Sequence, residues 1–113
     1  VADILRNTLK TCKGEVWTIA SADTISFNQD VIKVIEVTAD NLGLACRRIF
    51  SGAGHDARQM SYYCPSGMIF VPSKDGISHN INEFTSKDDL VAGAKVLCDT
   101  LINLVNMSDF GTK

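Results

Sequence analysis

The sequence predicts an α/β fold, in which helices and strands alternate along the chain. Two observations support this prediction. Apolar residues recur at helical spacing in several segments, and short runs rich in β-branched and aromatic residues separate them. Glycine or proline stands where these segments end. With 113 residues, the chain can form one hydrophobic core and is too short for two comfortable domains.

The first helix and the first strand lie before residue 21. Residues 1–13 carry apolar side chains at helical spacing, and Gly14 supplies the stop. Residues 15–20 alternate between apolar and polar side chains, which predicts a strand with one buried face. The polar residues 21–24 interrupt the pattern and are a candidate module boundary.

The second predicted helix has a wide apolar face and ends at Gly43. It starts either at a capping box formed by Ser26 and Gln29 or directly at Asn28. The apolar positions of its face are Val31, Ile32, Val34, Ile35 and Leu42.

Two further strands and two further helices complete the order. Residues 44–50 predict a short strand, and a helix should begin at Asp56. The continuous apolar run of residues 68–71 predicts a central strand that is covered on both faces. Ser86 caps a last helix that runs to about Asn106. One apolar stripe of that helix comprises Leu90, Ala94, Leu97, Leu101 and Leu104.

Composition excludes several classes of function. The 11 basic and 13 acidic residues are scattered, so no basic stripe is available for nucleic acid. No apolar run approaches the roughly 20 residues that span a bilayer, and no export signal opens the chain. We therefore expect a cytoplasmic protein whose cysteines are buried free thiols. The chain begins at Val1 rather than at methionine, which leaves two alternatives open, a fragment of a longer protein or a processed product. The cysteines are Cys12, Cys46, Cys64 and Cys98.

Two segments hold both histidines and combine them with small residues. His79 lies in the loop after a buried strand, where open α/β sheets place ligand sites. From residue type alone, it is either a metal ligand or a loop histidine bonded to backbone. Gly52 and Gly54 let backbone N–H groups converge on an anionic oxygen, or they simply form a tight turn. His55 and Asp56 are either pocket residues or an N-cap arrangement.

These segments resemble the C-terminal part of the dinuclear-metal amidohydrolases. The resemblance runs from about Val1 to Val105, and its most specific parts are the two histidine segments, 52–56 and 76–80. The family comprises N-carbamoyl-L-amino-acid hydrolase, beta-ureidopropionase, allantoate amidohydrolase and ureidoglycolate amidohydrolase. It implies a metallopeptidase-like catalytic domain with helices packed on a mixed sheet. Residues 1–22 would then end an inserted dimerisation or lid domain, and residues 23–113 would end the catalytic domain.

The resemblance also implies residue roles. His79 corresponds to a metal ligand, and Gly52, Gly54 and His55 line the substrate pocket. No catalytic residue is expected in this segment, because the general base and most metal ligands lie upstream in the family. The implied enzyme binds two divalent ions, zinc or manganese, forms a homodimer and hydrolyses the C–N bond of a small ureido or N-carbamoyl carboxylate. The segment alone should be inactive. The alternative is a non-catalytic α/β remnant that serves as a binding or dimerisation module.

Overall fold

The computed structural model of this chain describes residues 2–8, 10, 17 and 23–107, and it contains four α-helices. All four coincide with predicted helices. The predicted strand 15–20 lies outside the described residues except for Trp17. A short 3-10 turn, Lys74–Gly76, lies between the third and fourth helices. The helices are α1, Ala2–Thr8; α2, Gln29–Asn41; α3, Asp56–Met60; and α4, Lys87–Val105.

The start of α2 is set by Asn28. Its side-chain Oδ1 accepts hydrogen bonds from the backbone N–H groups of Asp30 and Val31, both at 3.0 Å. The alternative capping box is absent from this helix start, because the Gln29 side chain instead donates to the Phe27 carbonyl. The Asn28 side chain therefore satisfies two of the free N–H groups of the first turn.

Gly43 ends α2 as predicted. Its φ of 69° is left-handed, which glycine adopts without steric cost. The Gly43 N–H donates to Asp40, and the Leu44 N–H donates to Ala39, each at 2.9 Å. These two bonds form a Schellman motif, which satisfies the last carbonyls of the helix and turns the chain away from its axis.

Helix α4 begins at the predicted cap. The Ser86 Oγ accepts from the Asp89 N–H at 3.1 Å and donates to the Asp89 carboxylate at 2.6 Å. The face that α4 buries is not the predicted leucine stripe. Val96 and Thr100 are 6% and 3% exposed, whereas the leucines at 90, 97 and 101 are about half exposed. At 100° per residue, the two faces lie about 90° apart, so α4 is apolar over a wide arc.

The core lies between α2 and α4. On the α2 side, Val31, Thr38 and Ala39 are all at most 5% exposed. The Asn103 amide of α4 donates to the Thr38 hydroxyl at 3.0 Å, so the contact between the two helices includes a polar bond. This bond satisfies a hydroxyl that would otherwise be buried without a partner.

The segment of residues 66–71 packs against both helices. The Ser66 carbonyl accepts from the Asn28 N–H at 3.0 Å. A Cβ added at Gly67 would lie 2.8 Å from the Val31 side chain, so this glycine permits close approach to α2. The Val71 side chain lies still closer to the position that a Cβ would take at Gly93 of α4. Residues 66–71 therefore follow the groove between the two helices.

The predicted mixed sheet does not form within the described part of the chain. Residues 44–50 and 68–71 were predicted strands, but neither is assigned to a strand. Both faces of the second were expected to be covered, yet Phe70 is 45% exposed. A strand requires a neighbour that pairs with its N–H and C=O groups, and these two runs do not pair with each other. The pattern of apolar and β-branched side chains predicts a strand correctly only where a neighbouring strand is present to pair with it.

Arg48 attaches residues 44–50 to α2. Its guanidinium makes two bonds with the Glu36 carboxylate, at 2.6 and 2.9 Å, and a third with the Gln29 side chain at 2.8 Å. These bonds from Arg48 are the main reason that the pKa of Glu36 lies below its ordinary value. The same bonds raise the pKa of Arg48.

Many apolar side chains in the described ranges are exposed. Phe50, Tyr63 and Ile81 are 79%, 87% and 99% exposed. Trp17 is 76% exposed. Cys46, Cys64 and Cys98 are free, as predicted, but they are exposed rather than buried. Cys12 lies outside the described residues. The core between α2 and α4 is thus small for the apolar content of the sequence.

We predict that Gly93→Ala destabilises the chain, although alanine is normally about 1 kcal/mol better than glycine inside a helix. The added methyl group would overlap the Val71 side chain. Thermal unfolding should show a lower midpoint for Gly93→Ala. The double variant Gly93→Ala/Val71→Ala should recover part of the loss, and a midpoint at or above that of the wild type in the single variant would contradict the packing.

We predict that Glu36 makes stability depend on pH in the acid range. Because its folded pKa is below the ordinary value of 4.5, its contribution is present above that value and is lost as the pH falls through the lower folded pKa. Glu36→Gln should therefore flatten the fall in unfolding free energy below about pH 5, measured by urea titration. In an Arg48→Met background, the same change should have no further effect on the slope. An unchanged slope in the single variant would contradict the assignment.

Candidate functional site

The glycine loop, residues Ser51–Asp56, is organised by its histidine. The His55 Nε2 lies 2.8 Å from the Ser51 hydroxyl. That hydroxyl also accepts a hydrogen bond from the Ala53 N–H at 3.3 Å. The His55 ring meets the Phe70 ring edge to face, with centroids 5.5 Å apart and an interplanar angle of 69°. A half-buried imidazole is thus held from two sides.

His55 occupies the N-cap position of α3 without capping it. Its carbonyl accepts from the Arg58 N–H at 3.0 Å, but its ring makes no bond to the helix start. The N-cap arrangement that the sequence left open is therefore present in the backbone, without a capping bond from the His55 side chain. Asp56 lies in the first turn of α3, where a carboxylate interacts favourably with the helix dipole.

The two glycines of the loop are not required by local geometry. A Cβ added at Gly52 or Gly54 would meet no atom within 4 Å, and neither residue has a positive φ. A tight turn alone does not explain why glycine stands at these positions. The backbone there is open to an approaching molecule.

The histidine loop, residues Pro72–Thr85, is closed at its neck by hydrogen bonds. The Lys74 N–H donates to the Phe84 carbonyl at 2.8 Å, and the Ser73 hydroxyl bonds the Ile77 carbonyl. Inside the neck, Asp75 and Gly76 both have positive φ values, 56° and 69°. Hydrogen bonds therefore fix the two ends of the loop, and His79 lies between them on the exposed part of the loop.

His79 also has a left-handed backbone, with a φ of 55°. Its N–H donates to the Glu83 carboxylate at 2.9 Å, and the Glu83 N–H donates back to the Asn80 carbonyl at 3.0 Å. Left-handed φ costs a non-glycine residue about 1–2 kcal/mol, so these bonds offset a local penalty. Glu83 thereby holds the conformation that orients the His79 side chain.

The His79 imidazole itself is exposed. Within the described ranges, neither ring nitrogen has a hydrogen-bond partner, so the interpretation of a loop histidine bonded to backbone through its ring does not apply. A neutral ring of this kind has a nitrogen lone pair available for a metal ion.

The described residues do not form a metal site by themselves. Residues 2–8, 10, 17 and 23–107 contain no group of three or more histidine, cysteine, aspartate or glutamate side chains that could hold an ion. His55 and His79 share neither a hydrogen bond nor a ring contact. A cleft of about 250 Å³ lies at the neck of the histidine loop, but neither histidine lines it. This cleft is therefore not the candidate site. Its lining residues are Pro72, Ser73, Lys74, Phe84, Ser86 and Asp89.

Three residues near the histidines were missed by sequence reasoning. Ser51 precedes His55 by four residues, and Glu83 follows His79 by four residues. This spacing was a usable signal, because a tight loop can bring such side chains into hydrogen-bonding range. Phe70 gave no comparable signal, since its contact with His55 depends on how the loop folds back on residues 68–71.

The Arg48 and Arg58 side chains have partners within the chain. Arg48 pairs with Glu36, and the Arg58 guanidinium lies 5.9 Å from the centre of the Tyr62 ring. The latter distance permits a cation–π contact. Among the described residues, neither arginine side chain contacts a histidine.

We predict that Glu83→Ala weakens the protection of the His79 amide. Loss of one hydrogen bond of about 1 kcal/mol corresponds to roughly fivefold faster exchange with deuterium. Glu83→Gln retains an acceptor oxygen and should change the rate less. The Asn82 amide, which donates to the Asn80 side chain at 2.9 Å, is the internal reference. Equal His79 exchange in the wild type and Glu83→Ala would contradict this role of Glu83.

The arrangement of helices and loops is similar to part of a known hydrolase structure. An amidase of the hydantoinase/carbamoylase family from Burkholderia vietnamiensis matches with a TM-score of 0.80 and 32% identity. The match covers 90% of this chain and 25% of the amidase chain. The fold therefore corresponds to one segment of a larger hydrolase.

Sequence comparison identifies the family. The profile of peptidase family M20/M25/M40 matches residues 11–103, and the chain belongs to this family. An allantoate amidohydrolase from Bacillus subtilis is 43% identical over 67 residues, 59% of this chain and 16% of the relative. An N-carbamoyl-L-amino acid amidohydrolase from Geobacillus stearothermophilus is 50% identical over 54 residues, 48% of this chain and 13% of the relative.

These matches confirm the resemblance inferred from the two histidine segments. The chain spans less than a fifth of the length of either relative. No helix in the described part of the chain combines the length and apolar character needed to cross a bilayer.

Proposed function

We propose that this chain is the C-terminal part of a metal-dependent amidohydrolase. Its substrate would be a small carboxylate with a linear N-carbamoyl or ureido C–N bond, such as an N-carbamoyl amino acid, allantoate or ureidoglycolate. The single observation that carries this proposal is the exposed His79 ring on a loop whose backbone is braced by Glu83. Membership of the peptidase family M20/M25/M40 and the names of the relatives support the class of reaction.

The role of His79 is to supply one ligand to a divalent ion. An imidazole with no hydrogen-bond partner in the described residues has a lone pair available, and its loop is already ordered, so little conformational entropy is lost on binding. The absence of a three-residue donor group among the described residues fits a site completed by ligands from elsewhere. When bound, two zinc or manganese ions would supply Lewis-acid activation of the amide carbonyl.

The role of the glycine loop is to hold the substrate. Gly52 and Gly54 leave open space on the backbone, which allows a carboxylate or ureido oxygen to approach the N–H groups closely. His55, fixed by Ser51 and Phe70, would add a side-chain contact to the same substrate. The general base is expected upstream of this segment, so these residues bind and orient rather than transfer protons.

The remaining surface is proposed to pack against the rest of the same polypeptide. The leucine stripe of α4 is half exposed, and residues 44–50 and 68–71 have no strand partner in the described part. Additional strands and a second apolar layer would cover these faces and complete the mixed sheet. Under this proposal, residues 1–22 end a dimerisation or lid domain, residues 23–113 end the catalytic domain, and the enzyme is a cytoplasmic homodimer.

A second candidate function is a non-catalytic binding or dimerisation module. It is favoured by the lack of a sufficient donor group for a metal among the described residues. The two proposals differ in the intact polypeptide. An intact polypeptide that supplies further metal ligands before this segment supports the hydrolase proposal. An intact polypeptide limited to these residues supports the binding-module proposal.

We predict that His79→Ala, made in the intact polypeptide, lowers metal content and hydrolysis together. Loss of a direct ligand should reduce kcat/KM by at least about 100-fold, since even supporting residues of metal sites cost 10–100-fold. Metal content is measured by mass spectrometry after dialysis. Hydrolytic activity is measured with N-carbamoyl amino acids, allantoate and ureidoglycolate as substrates. Ser78→Ala is the matched control in the same loop and should leave both values unchanged.

Two results would reject these assignments. Normal metal content with normal turnover in His79→Ala would remove His79 from the metal site. A metal-loaded wild-type protein that hydrolyses no N-carbamoyl or ureido carboxylate would reject the proposed reaction.

A further inference from the structure

We propose that Ser51 is a positioning residue that holds His55 in the tautomer with its proton on Nδ1. In this arrangement, the Ser51 hydroxyl donates to His55 Nε2 across the observed 2.8 Å. The inferred effect on substrate binding rests on the function proposed above. The tautomer assignment itself is independent of that function.

The first step of the argument is the hydrogen-bond inventory of the Ser51 hydroxyl. A serine hydroxyl has one proton to donate and two lone pairs. One lone pair accepts from the Ala53 N–H at 3.3 Å. If His55 Nε2–H also donated to Ser51, both lone pairs would be used and the hydroxyl proton would need another acceptor.

The second step is the search for that acceptor. Among the described residues, His55 Nε2 is the only recorded partner to which the Ser51 hydroxyl could donate. Ser51 and His55 are both half-buried, so an unused hydroxyl proton would be partly removed from water. Donation from Ser51 to Nε2 gives the hydroxyl proton an acceptor and leaves Nδ1–H as the free donor of the ring, which selects this direction.

The third step is what the bond does to the ring. A neutral imidazole has one donor and one acceptor nitrogen, so an acceptor Nε2 requires the proton on Nδ1. Contact with Phe70, at an interplanar angle of 69°, also restricts rotation of the His55 ring. Two restraints, one polar and one aromatic, therefore fix both the tautomer and the plane of the ring.

For the proposed enzyme, the tautomer determines which substrate group His55 can contact. An Nδ1–H donor suits a carboxylate or ureido carbonyl oxygen and does not suit an N–H group of the substrate. Free histidine in water favours the opposite tautomer, so without Ser51 the ring would pay a penalty to present this donor. Ser51 would thus contribute to the affinity for anionic or carbonyl oxygens without touching the substrate.

The test is nitrogen NMR of the imidazole rings in the chain, recorded at alkaline pH, where imidazoles are neutral. The wild-type spectrum should show His55 protonated on Nδ1. His79 is an internal reference, because its ring has no hydrogen-bond partner in the described ranges. It should show the tautomer of free histidine, protonated on Nε2. A wild-type His55 protonated on Nε2 would overturn the proposal without any variant.

Variants separate the hydroxyl from its surroundings. Ser51→Ala should move the His55 signals toward those of His79, whereas Ser51→Thr retains a hydroxyl and should preserve the wild-type pattern. Ser61→Ala is the matched control, since the half-buried Ser61 hydroxyl donates to the Arg58 carbonyl at 2.7 Å and faces no histidine. An unchanged His55 tautomer in Ser51→Ala would overturn the positioning role.

Kinetics of the intact polypeptide test the consequence for the substrate. Ser51→Ala should raise KM about tenfold, the effect of one hydrogen bond, and change kcat much less. A fall in kcat without a change in KM would overturn the inferred effect on binding. If the wild-type tautomer is confirmed but the intact protein hydrolyses no ureido or N-carbamoyl carboxylate, the proposed function fails and the Ser51–His55 assignment stands.

Discussion

Close packing of residues 66–71 against α2 and α4 is the constraint on which the rest of the described structure depends. Two glycines make it possible, because Gly67 admits the Val31 side chain and Gly93 admits Val71. With both helices held on one extended segment, their facing residues form the core. The glycine loop is then placed through the contact of His55 with Phe70, and the histidine loop follows directly from Val71. Packing at two glycines therefore positions both candidate segments.

Each candidate segment is stabilised by a pair of residues four positions apart. Ser51 bonds the His55 ring, and Glu83 bonds the His79 backbone. These two bonds leave different groups available for binding. The His55 ring uses one nitrogen in its bond to Ser51 and keeps one donor for a substrate. The His79 residue is held through its backbone, so both ring nitrogens stay available. The first arrangement suits substrate binding, and the second suits metal ligation.

The helices could be predicted from the sequence because their signals are local. Asn28, Gly43 and Ser86 act on residues within one turn of themselves, so the caps and stops were readable or limited to two alternatives. The strands could not be predicted with equal success, since a strand exists only through pairing with a distant neighbour. The buried face of α4 was mispredicted for a related reason. Its apolar residues cover a wide arc, and their pattern alone does not show which part of that arc contacts α2.

Under the proposed function, the exposed apolar residues and the lack of a three-residue donor group among the described residues have a common explanation. Residues 44–50 and 68–71 have the composition of paired strands, and the leucines of α4 have the composition of a buried face. Burial of such residues is favourable by about 25 cal/mol per Å² of apolar surface, so leaving them exposed is costly unless another part of the protein covers them. The relatives that match this chain are more than five times longer than the matched regions. In the proposed enzyme, a polypeptide of that length would supply partner strands, a second apolar layer and further metal ligands. Folding and metal binding would then be coupled.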